Sequence, residues 1–177
     1  MTSNRTTRLA IAAVTSVGLA AAAIARPAHA AAVAPASGVI VQMRVVGIND
    51  NVPTTIQSFS LGATDTLAAS GSGAGGKVLF ANLTVSKVLD ADSVPLLQAA
   101  ATGQVLKTLV IDVFAEHDGT PFATYTFEDV VVTSNAIGAG SSTTEQDAFD
   151  FRRISSDVSI NGQTFYSCFD VKAGASC

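Results

Sequence analysis

The sequence predicts a mainly β protein, an antiparallel barrel or sandwich with one short α-helix. Three observations lead to this prediction. Apolar and polar residues alternate with a period of two over several segments, glycine-rich or Asn-Gly turns separate those segments, and a single segment has a helical pattern. About seven strands are expected, with no internal repeat and no domain boundary between them.

The first expected strand follows Gly38, because Val39, Val41, Met43 and Val45 share one face. The other expected strands are Thr55–Leu61, a nine-residue alternation within residues 77–88, Val105–Phe114, Phe122–Val132, a looser alternation over Glu145–Val158, and Thr164–Val171. Residues 65–76 and 134–144 are polar and rich in glycine or serine, and they are expected to be loops.

The stretch GSGAGGKV, residues 71–78, resembles two phosphate-binding motifs. Gly71, Gly73 and Gly76 fit G-x-G-x-x-G, and Lys77 completes most of a P-loop. Both motifs need the glycine loop to open into a helix, whose N-terminal amides bind the anion. Here the loop is followed by alternation typical of a strand, and Val78 replaces the magnesium-binding hydroxyl residue. The residues of that alternation that share one face are Leu79, Ala81, Leu83 and Val85. We therefore expect a loop between strands and no nucleotide site.

The expected helix is Val94–Thr102. Asp92 or Ser93 can cap its N-terminus, Pro95 is tolerated in the first turn, and Gly103 is placed for a left-handed C-terminal cap. The residues expected on its apolar face are Leu96, Leu97 and Ala100.

Two dipeptides predict hairpins. Asp118-Gly119 and Asn161-Gly162 each lie between expected strands, and both are typical of type I′ turns, which need positive φ at both central residues.

The first thirty residues are typical of a secretory signal peptide. Arg5 and Arg8 precede an apolar core, Leu9–Ile24, and residues 28–30 (AHA) give the small-x-small cleavage pattern. The apolar core has sixteen residues, which is short of the roughly 20 needed to span a bilayer. We expect cleavage after residue 30, with residue 32 as the alternative, and export to the periplasm or the medium without a membrane anchor.

Charge argues against nucleic acid as a partner. Cleavage would remove three arginines and leave 7 basic against 14 acidic residues, a net charge of −7 on 147 residues. Nucleic-acid binding needs clustered Lys and Arg, so the mature chain is expected to be a soluble protein that repels anionic surfaces.

Cys168 and Cys177 are the two cysteines. In an oxidising compartment they most simply form an intramolecular disulfide, and an intermolecular bridge or two free thiols are the alternatives. Metal ligation is not expected, because the spacing lacks the close pairing of zinc sites.

Catalytic residues are sparse. The mature chain has one histidine, His117, at an expected turn tip, where a hydrolytic triad is poorly placed. Asp112, Glu116, Asp118 and Glu128–Asp129 could supply a glycosidase pair, but hairpins commonly carry such acids for solubility, and tryptophan platforms are absent. We assign no catalytic, cofactor-binding or metal-binding residue, and no cofactor.

Several segments taken in order resemble the Hcp family, the haemolysin-coregulated tube proteins of type VI secretion. The central one, GKVLFANLTVSKVLDADSVPLLQAAATGQVLKTLVIDV, runs from Gly76 to Val113. It is similar to the family's Leu-Thr-Val-x-Lys-x-Leu-Asp strand, Ser-x-x-Leu-Leu helix and Ala-x-Thr-Gly cap. YTFEDVVVTS at residues 125–134 and EQDAFDFRRI at residues 145–154 resemble two later strands, and VIVQMRVVGI and IQSFSL lie where the family has its first strands.

The resemblance implies a compact two-sheet β barrel with a short helix on its side. It also implies a non-enzymatic structural role in which subunits form hexameric rings that stack into a tube, whose lumen can carry small protein cargo. The corresponding organisation is a signal peptide at 1–30, a flexible lead-in at 31–37, an Hcp-like barrel at 38–158 and a C-terminal hairpin or tail at 159–177 with both cysteines. The alternative function is a monomeric extracellular binding module that has lost tube assembly, and a secreted hydrolase is a distant third.

Overall fold

The computed structural model describes residues 38–50, 52–66, 77–116, 118–140 and 142–177. They form twelve β-strands and one α-helix, which confirms the expected mainly β fold. The strands are β1 Val39–Val45, β2 Thr54–Ile56, β3 Ser58–Ser60, β4 Ala63–Thr66, β5 Lys77–Phe80, β6 Leu83–Val88, β7 Val105–Ala115, β8 Ala123–Ala139, β9 Thr143–Asp150, β10 Arg153–Ile160, β11 Gln163–Asp170 and β12 Ala175–Ser176, and the helix is α1 Ser93–Thr102. The expected signal peptide, the lead-in, the glycine motif at 71–76 and His117 lie outside the described residues.

Ten strands form one antiparallel sheet that branches at β8. One branch, the larger layer, has the order β12-β11-β10-β8-β7-β1-β2, and the other, the smaller layer, continues from β8 through β9 and β6 to β3. β4 and β5 form a separate pair.

The strand β8 belongs to both layers because of its length, 17 residues. Its first part pairs with β7 and β10, and the part from Val131 to Ala139 pairs with β9. Asp129 has a positive φ of 51°, and the register shifts between Val132 and Ser134. Such irregularities bend a strand and increase its twist, so β8 can pass from one layer to the other.

The core lies between the two layers and under α1. In β1 the inward residues Val41, Met43 and Val45 are buried, as the alternation predicted. Phe127 of β8 is completely buried, with its ring 5.0 Å from that of Phe151.

The predicted strand over residues 55–61 is wrong as a single element. The chain forms β2, which pairs with β1, and then β3, which pairs with β6. Between them Gln57 donates its backbone N–H to the carbonyl of Ser86 at 2.8 Å. The apolar alternation shows that both pieces are extended, but it does not show that they join different layers.

The alternation over residues 77–88 also conceals a break. β5 and β6 are separated at Ala81–Asn82, and Asp65 and Thr66, expected in a loop, belong to β4, the partner of β5. Leu79, expected to face the core, is 48% exposed. Phe80 faces inward instead, with its ring 5.9 Å from that of Phe151 and 5.3 Å from that of Phe169.

Residues 134–144 were predicted to be a loop, and that prediction is wrong. β8 continues to Ala139 and β9 begins at Thr143, so the two strands form a long hairpin. Small polar side chains suit its exposed residues, and the backbone hydrogen bonds of the ladder hold it together. The looser run over residues 145–158 divides into β9 and β10.

The helix α1 begins one residue earlier than predicted. Gly103 has the expected left-handed φ of 65°, and its N–H donates to the carbonyl of Ala99. Leu96 is buried as expected and Ala99 is buried with it, whereas Leu97 is 46% exposed. The apolar face is therefore rotated from the predicted one.

Both predicted hairpins are present, since β7 pairs with β8 and β10 pairs with β11, but the predicted turn is found in only one of them. Asn161 and Gly162 have φ values of 53° and 75°, which confirms a type I′ turn between β10 and β11. Gly119 does not have a positive φ, so a type I′ turn at Asp118-Gly119 is wrong. β7 and β8 are instead joined by a longer connection over residues 116–122.

Candidate functional site

The acidic residues considered for catalysis do not converge. Asp112 accepts from Arg44 and from Thr124, both at 2.8 Å, on the outer face of the larger layer. Glu128 pairs with Arg153 at 2.8 Å. Asp129 pairs with Arg152 at 3.4 Å, and Asp118 and Glu116 are exposed in the connection after β7. These carboxylates form cross-strand ion pairs and surface charge, and the structure does not bring two of them to a shared cleft.

Within the described ranges, no group of three or more His, Cys, Asp or Glu side chains is arranged to hold a metal ion. The same residues include no helix of sufficient length and apolarity to cross a membrane.

A buried ion cluster, which sequence analysis missed, lies between α1 and the smaller layer. We define it as Lys87, Glu145, Asp147, Asn135 and Ser93. The Lys87 ammonium and the Glu145 carboxylate are completely buried, with Nζ 2.8 Å from Oε2. Lys87 also donates to Ser93 Oγ at 3.1 Å, and Ser93 donates to Glu145. Asn135 Nδ2 donates to Glu145 Oε1 and to Asp147 Oδ1, both at 2.7 Å.

Burial and neighbouring charge set the protonation of this cluster. Burial raises the pKa of the Asp147 carboxyl to about 6; the nearby Glu145 carboxylate acts in the same direction, while the hydrogen bond from Asn135 opposes it. Burial by itself lowers the pKa of Lys87. Its hydrogen bonds to Asp90 and Glu145 outweigh that effect, so the pKa of Lys87 is raised and the amine stays charged.

Strand alternation could have revealed the cluster. Lys87 is in phase with the buried Leu83 and Val85 of β6, while Glu145 and Asp147 are in phase with the buried Phe149 of β9. Charged residues at inward positions of two neighbouring strands indicate a buried ion pair, because an unpaired charge there would be very unfavourable. The hydrogen bonds of the cluster connect Ser93, at the start of α1, to β6 and β9.

A second polar group fixes the loop before the helix. Asp92 stands at the N-cap position of α1, but its side chain makes no capping hydrogen bond. The carboxylate instead accepts from Asn49 Nδ2 at 2.7 Å and from the Thr54 hydroxyl. Asn49 Oδ1 accepts from the backbone N–H of Val45 at 2.5 Å, so β1, β2 and the helix start are joined.

The depressions on the surface are open, and their walls are partly polar and partly apolar. Three depressions among the described residues have volumes of about 570, 420 and 300 Å³. The second lies on the outer face of β8, β10 and β11, with Thr124, Asp157 and Tyr166 among its lining residues. Buried polar residues line two of the depressions: Asn49 and Asp92 line the first, and Asp147 lines a further one of about 260 Å³ beside Phe59 and Val85.

Exposed apolar side chains are the more distinctive surface feature. Val94 and Leu97, three residues apart on one face of α1, are 72% and 46% exposed. On the β10–β11 hairpin, Ile160, Phe165 and Tyr166 are 54%, 56% and 70% exposed. Protein–protein contact is the usual reason for such groups to remain on a surface.

The C-terminal end is closed by a disulfide. Cys168 of β11 and Cys177 are joined, with their Cα atoms 5.3 Å apart. Between them Asp170 accepts from the backbone N–H of Ala173 at 2.8 Å. That hydrogen bond, assisted by Arg152 and Arg153, lowers the pKa of Asp170.

The chain is similar to known proteins in both sequence and structure. A family profile described as "Type VI secretion system effector, Hcp" matches residues 51–158, which is 61% of the chain. The comparison with curated proteins gives no significant match.

Among solved structures, the chain is similar to Hcp1 from Salmonella typhimurium, with a TM-score of 0.68 and 18% identity over 79% of this chain and 99% of that one. It is also similar to a type six secretion system protein, with a TM-score of 0.67 and 20% identity over 78% and 99% of the two chains. A type VI secretion system effector from Yersinia pestis gives a TM-score of 0.57 and 16% identity over 74% and 99%. These likenesses show the fold, and with the family profile they establish that the chain belongs to the Hcp family of type VI secretion tube proteins.

Proposed function

We propose that this protein is exported through its own signal peptide and assembles outside the cytoplasm into hexameric rings with a structural or carrier role. The observation that carries the proposal is the match of residues 51–158 to the Hcp family, together with the shared fold. A ring with an open lumen would accommodate small protein cargo. Ring assembly is a property of the family's tube, and the proposal extends it to this chain.

The surface supports self-association. A cyclic ring requires two different patches on every subunit, because each subunit contacts its neighbours head to tail. The exposed apolar face of α1, with Val94 and Leu97, is suited to be one such patch.

The placement of the acidic residues supports a non-enzymatic role. Asp112, Glu128 and Asp129 pair with arginines across strands, and the buried carboxylates of Glu145 and Asp147 contact protein groups of the cluster. Catalysis needs side chains that converge on a substrate, whereas these carboxylates bind neighbouring protein groups.

Export is supported by the N-terminal sequence and by the cysteines. A disulfide such as Cys168–Cys177 persists in oxidising compartments and is rare in the cytosol. In this proposal residues 1–30 are removed, 31–37 lead into the barrel at 38–158, and 159–177 form a tail stabilised by the disulfide.

The test is the mass of the exported protein, measured by size-exclusion chromatography with light scattering over a wide concentration range. We expect six protomers in each ring, so the mass should correspond to six protomers or to a multiple of six, and electron microscopy of the same fraction should show rings. N-terminal sequencing should begin at residue 31. A monomer at every concentration would exclude the ring and leave the alternative of a binding module, and an uncleaved N-terminus would exclude export by a signal peptide.

A further inference from the structure

The strand β11 forms one edge of the larger layer, and most of that edge is open. β10 pairs with all of β11 on one side. On the other side β12 pairs only with Phe169 and Asp170, and Cys177 donates its backbone N–H to the carbonyl of Cys168. Residues 163–167 therefore have no neighbouring strand on their outer side within the described chain.

The direction of the backbone groups along this edge follows from three hydrogen bonds. Val171 donates its N–H to Arg152 next to β10, so odd-numbered residues of β11 point their N–H and C=O toward β10. The carbonyls of Cys168 and Asp170 accept from Cys177 and Gly174, so even-numbered residues point outward. Thr164 and Tyr166 consequently present two N–H donors and two C=O acceptors to the open edge.

The sequence of the edge lacks the usual protection against pairing. Residues 163–169, QTFYSCF, contain no charge, no proline and no glycine, and they are rich in residues that favour strands. Natural edge strands are commonly short, charged, bulged or interrupted by proline, because an open edge pairs readily with another chain. An uncharged edge with exposed Phe165 and Tyr166 is suited to a partner strand that is also uncharged.

We propose that β11 pairs with β11 of a second copy of this chain, antiparallel and two-fold symmetric about Phe165. In this register Thr164 of each copy lies opposite Tyr166 of the other. Thr164 of one copy and Tyr166 of the other then exchange two backbone hydrogen bonds, and the two-fold symmetry repeats this pair. All four outward groups of each copy are therefore bonded. Shifting the two-fold axis by one residue would pair Thr164 or Tyr166 with itself and leave the other residue's groups unpaired.

The side chains agree with this register. Phe165 lies directly opposite Val158 in the β10–β11 pair, on the same face as Ile160. Pairing two copies at Phe165 places the two phenylalanines opposite each other and joins both apolar strips into one face. The disulfide defines the end of the contact, because Cys177 occupies the edge beside Cys168. This two-fold contact is separate from the head-to-tail contact that closes a ring.

The test compares the mass of the exported protein with that of variants at equal concentration. Tyr166→Pro removes an outward N–H without removing a bond to β10, and Phe165→Lys places two like charges opposite each other. Val105→Lys is the matched control, since Val105 is also apolar and 59% exposed but lies on β7. We expect the wild type and the control to have twice the mass of both edge variants.

This ratio separates the pairing from the ring. A change from twelve protomers in the wild type to six in the edge variants supports both contacts. A change from two protomers to one supports the edge contact alone. If the wild type and the folded edge variants have the same number of protomers, the edge contact is refuted. The ring is judged separately, by whether that number is six or one. If Tyr166→Pro does not fold, Phe165→Lys alone gives the comparison.

Cysteine cross-linking tests the register. In the proposed pair the Cα atoms of the two Phe165 residues are about 4.5 Å apart, within disulfide range. The Cα atoms of the two Thr164 residues lie diagonally across the pair, roughly 8 Å apart, which is beyond the limit of about 7 Å for a disulfide. With the native disulfide intact by mass spectrometry, Phe165→Cys should give a covalent dimer under mild oxidation and Thr164→Cys should not. Equal cross-linking of both variants, or of neither, would refute the register.

Discussion

Replacing Asp147 by asparagine should stabilise the protein at neutral pH and have much less effect in acid. Asp147 is 2% exposed, and its Oδ2 has no hydrogen-bond partner among the described residues. The Lys87 ammonium in the same cluster is already neutralised by Glu145 at 2.8 Å and Asp90 at 2.6 Å. An ionised Asp147 is therefore a further buried negative charge without a cation of its own, and asparagine removes that charge while keeping the shape.

The magnitude follows from the pKa. Burial raises the pKa of Asp147 from the ordinary 3.8 to about 6. Because the folded state holds the proton more tightly than the unfolded state, ionisation opposes folding. The loss of folding stability caused by ionisation of Asp147 is small below about pH 4, grows as the pH rises toward 6 and is complete above about pH 7. At 1.36 kcal/mol per pKa unit, the full penalty is about 3 kcal/mol.

Urea unfolding at a series of pH values between 4 and 7 measures this effect. The difference in unfolding free energy, Asp147→Asn minus wild type, should rise by about 2.4 kcal/mol from pH 4 to pH 7, because a small part of the penalty is already present at pH 4. Asp157→Asn is the matched control, because it is the same chemical change at an exposed position of β10. An Asp147→Asn difference that does not rise with pH more than that of the control would refute the argument that burial of Asp147 opposes its ionisation.

Three further predictions concern stability. Glu145→Gln should lower the unfolding free energy by about 3–5 kcal/mol in the same urea assay, since it removes one partner of a completely buried ion pair and leaves the Lys87 charge undercompensated. Replacing both Cys168 and Cys177 by serine should lower it by about 2.7 kcal/mol for a loop closed at a separation of 9 residues, and adding a reductant to the wild type should give the same loss. Gly103→Ala should lower the thermal midpoint by the equivalent of about 1 kcal/mol, because the φ of 65° is strained for alanine although its Cβ would meet no atom within 4 Å. A loss above about 3 kcal/mol at Gly103 would indicate a steric clash that the geometry does not contain.

Local signals in the sequence predicted the elements that depend on local physics. The alternation in β1, the left-handed cap at Gly103 and the type I′ turn at Asn161-Gly162 need only neighbouring residues, and all three are confirmed. The resemblance to Hcp proteins supplied the arrangement of these elements, which alternation cannot give.

Non-local pairing explains the errors. Residues 134–139 resemble a loop because small and polar residues predominate among them, yet their backbone pairs with β9 over six residues. In the extended run at residues 54–60 the apolar Ile56 and Phe59 are three residues apart, so the phase changes near Gln57, but the sequence does not state which layer each half joins. In each case the deciding hydrogen bonds join residues distant in sequence.

The candidate surfaces were less predictable than the fold. The exposure of Phe165 and Tyr166 follows from the absence of a strand beside β11, and a sequence pattern does not state which strand is at an edge. The buried ion cluster was open to prediction from the phase of Lys87 and of Glu145 in their strands. That signal was missed because charged residues on hairpins were assigned to the surface.

The family profile does not cover the last strands of this chain. The profile match ends at residue 158, two residues before the end of β10, so β11, β12 and the disulfide lie beyond it. The core residues that hold the two layers together, such as Phe127 and Phe149, lie within it. Substitutions in the core would disturb side-chain packing in both layers. An edge strand can change its sequence while keeping its backbone hydrogen bonds to one neighbouring strand. The edge at β11 is therefore where a new assembly can arise without a new fold, and variants there should alter association while leaving the unfolding transition in place.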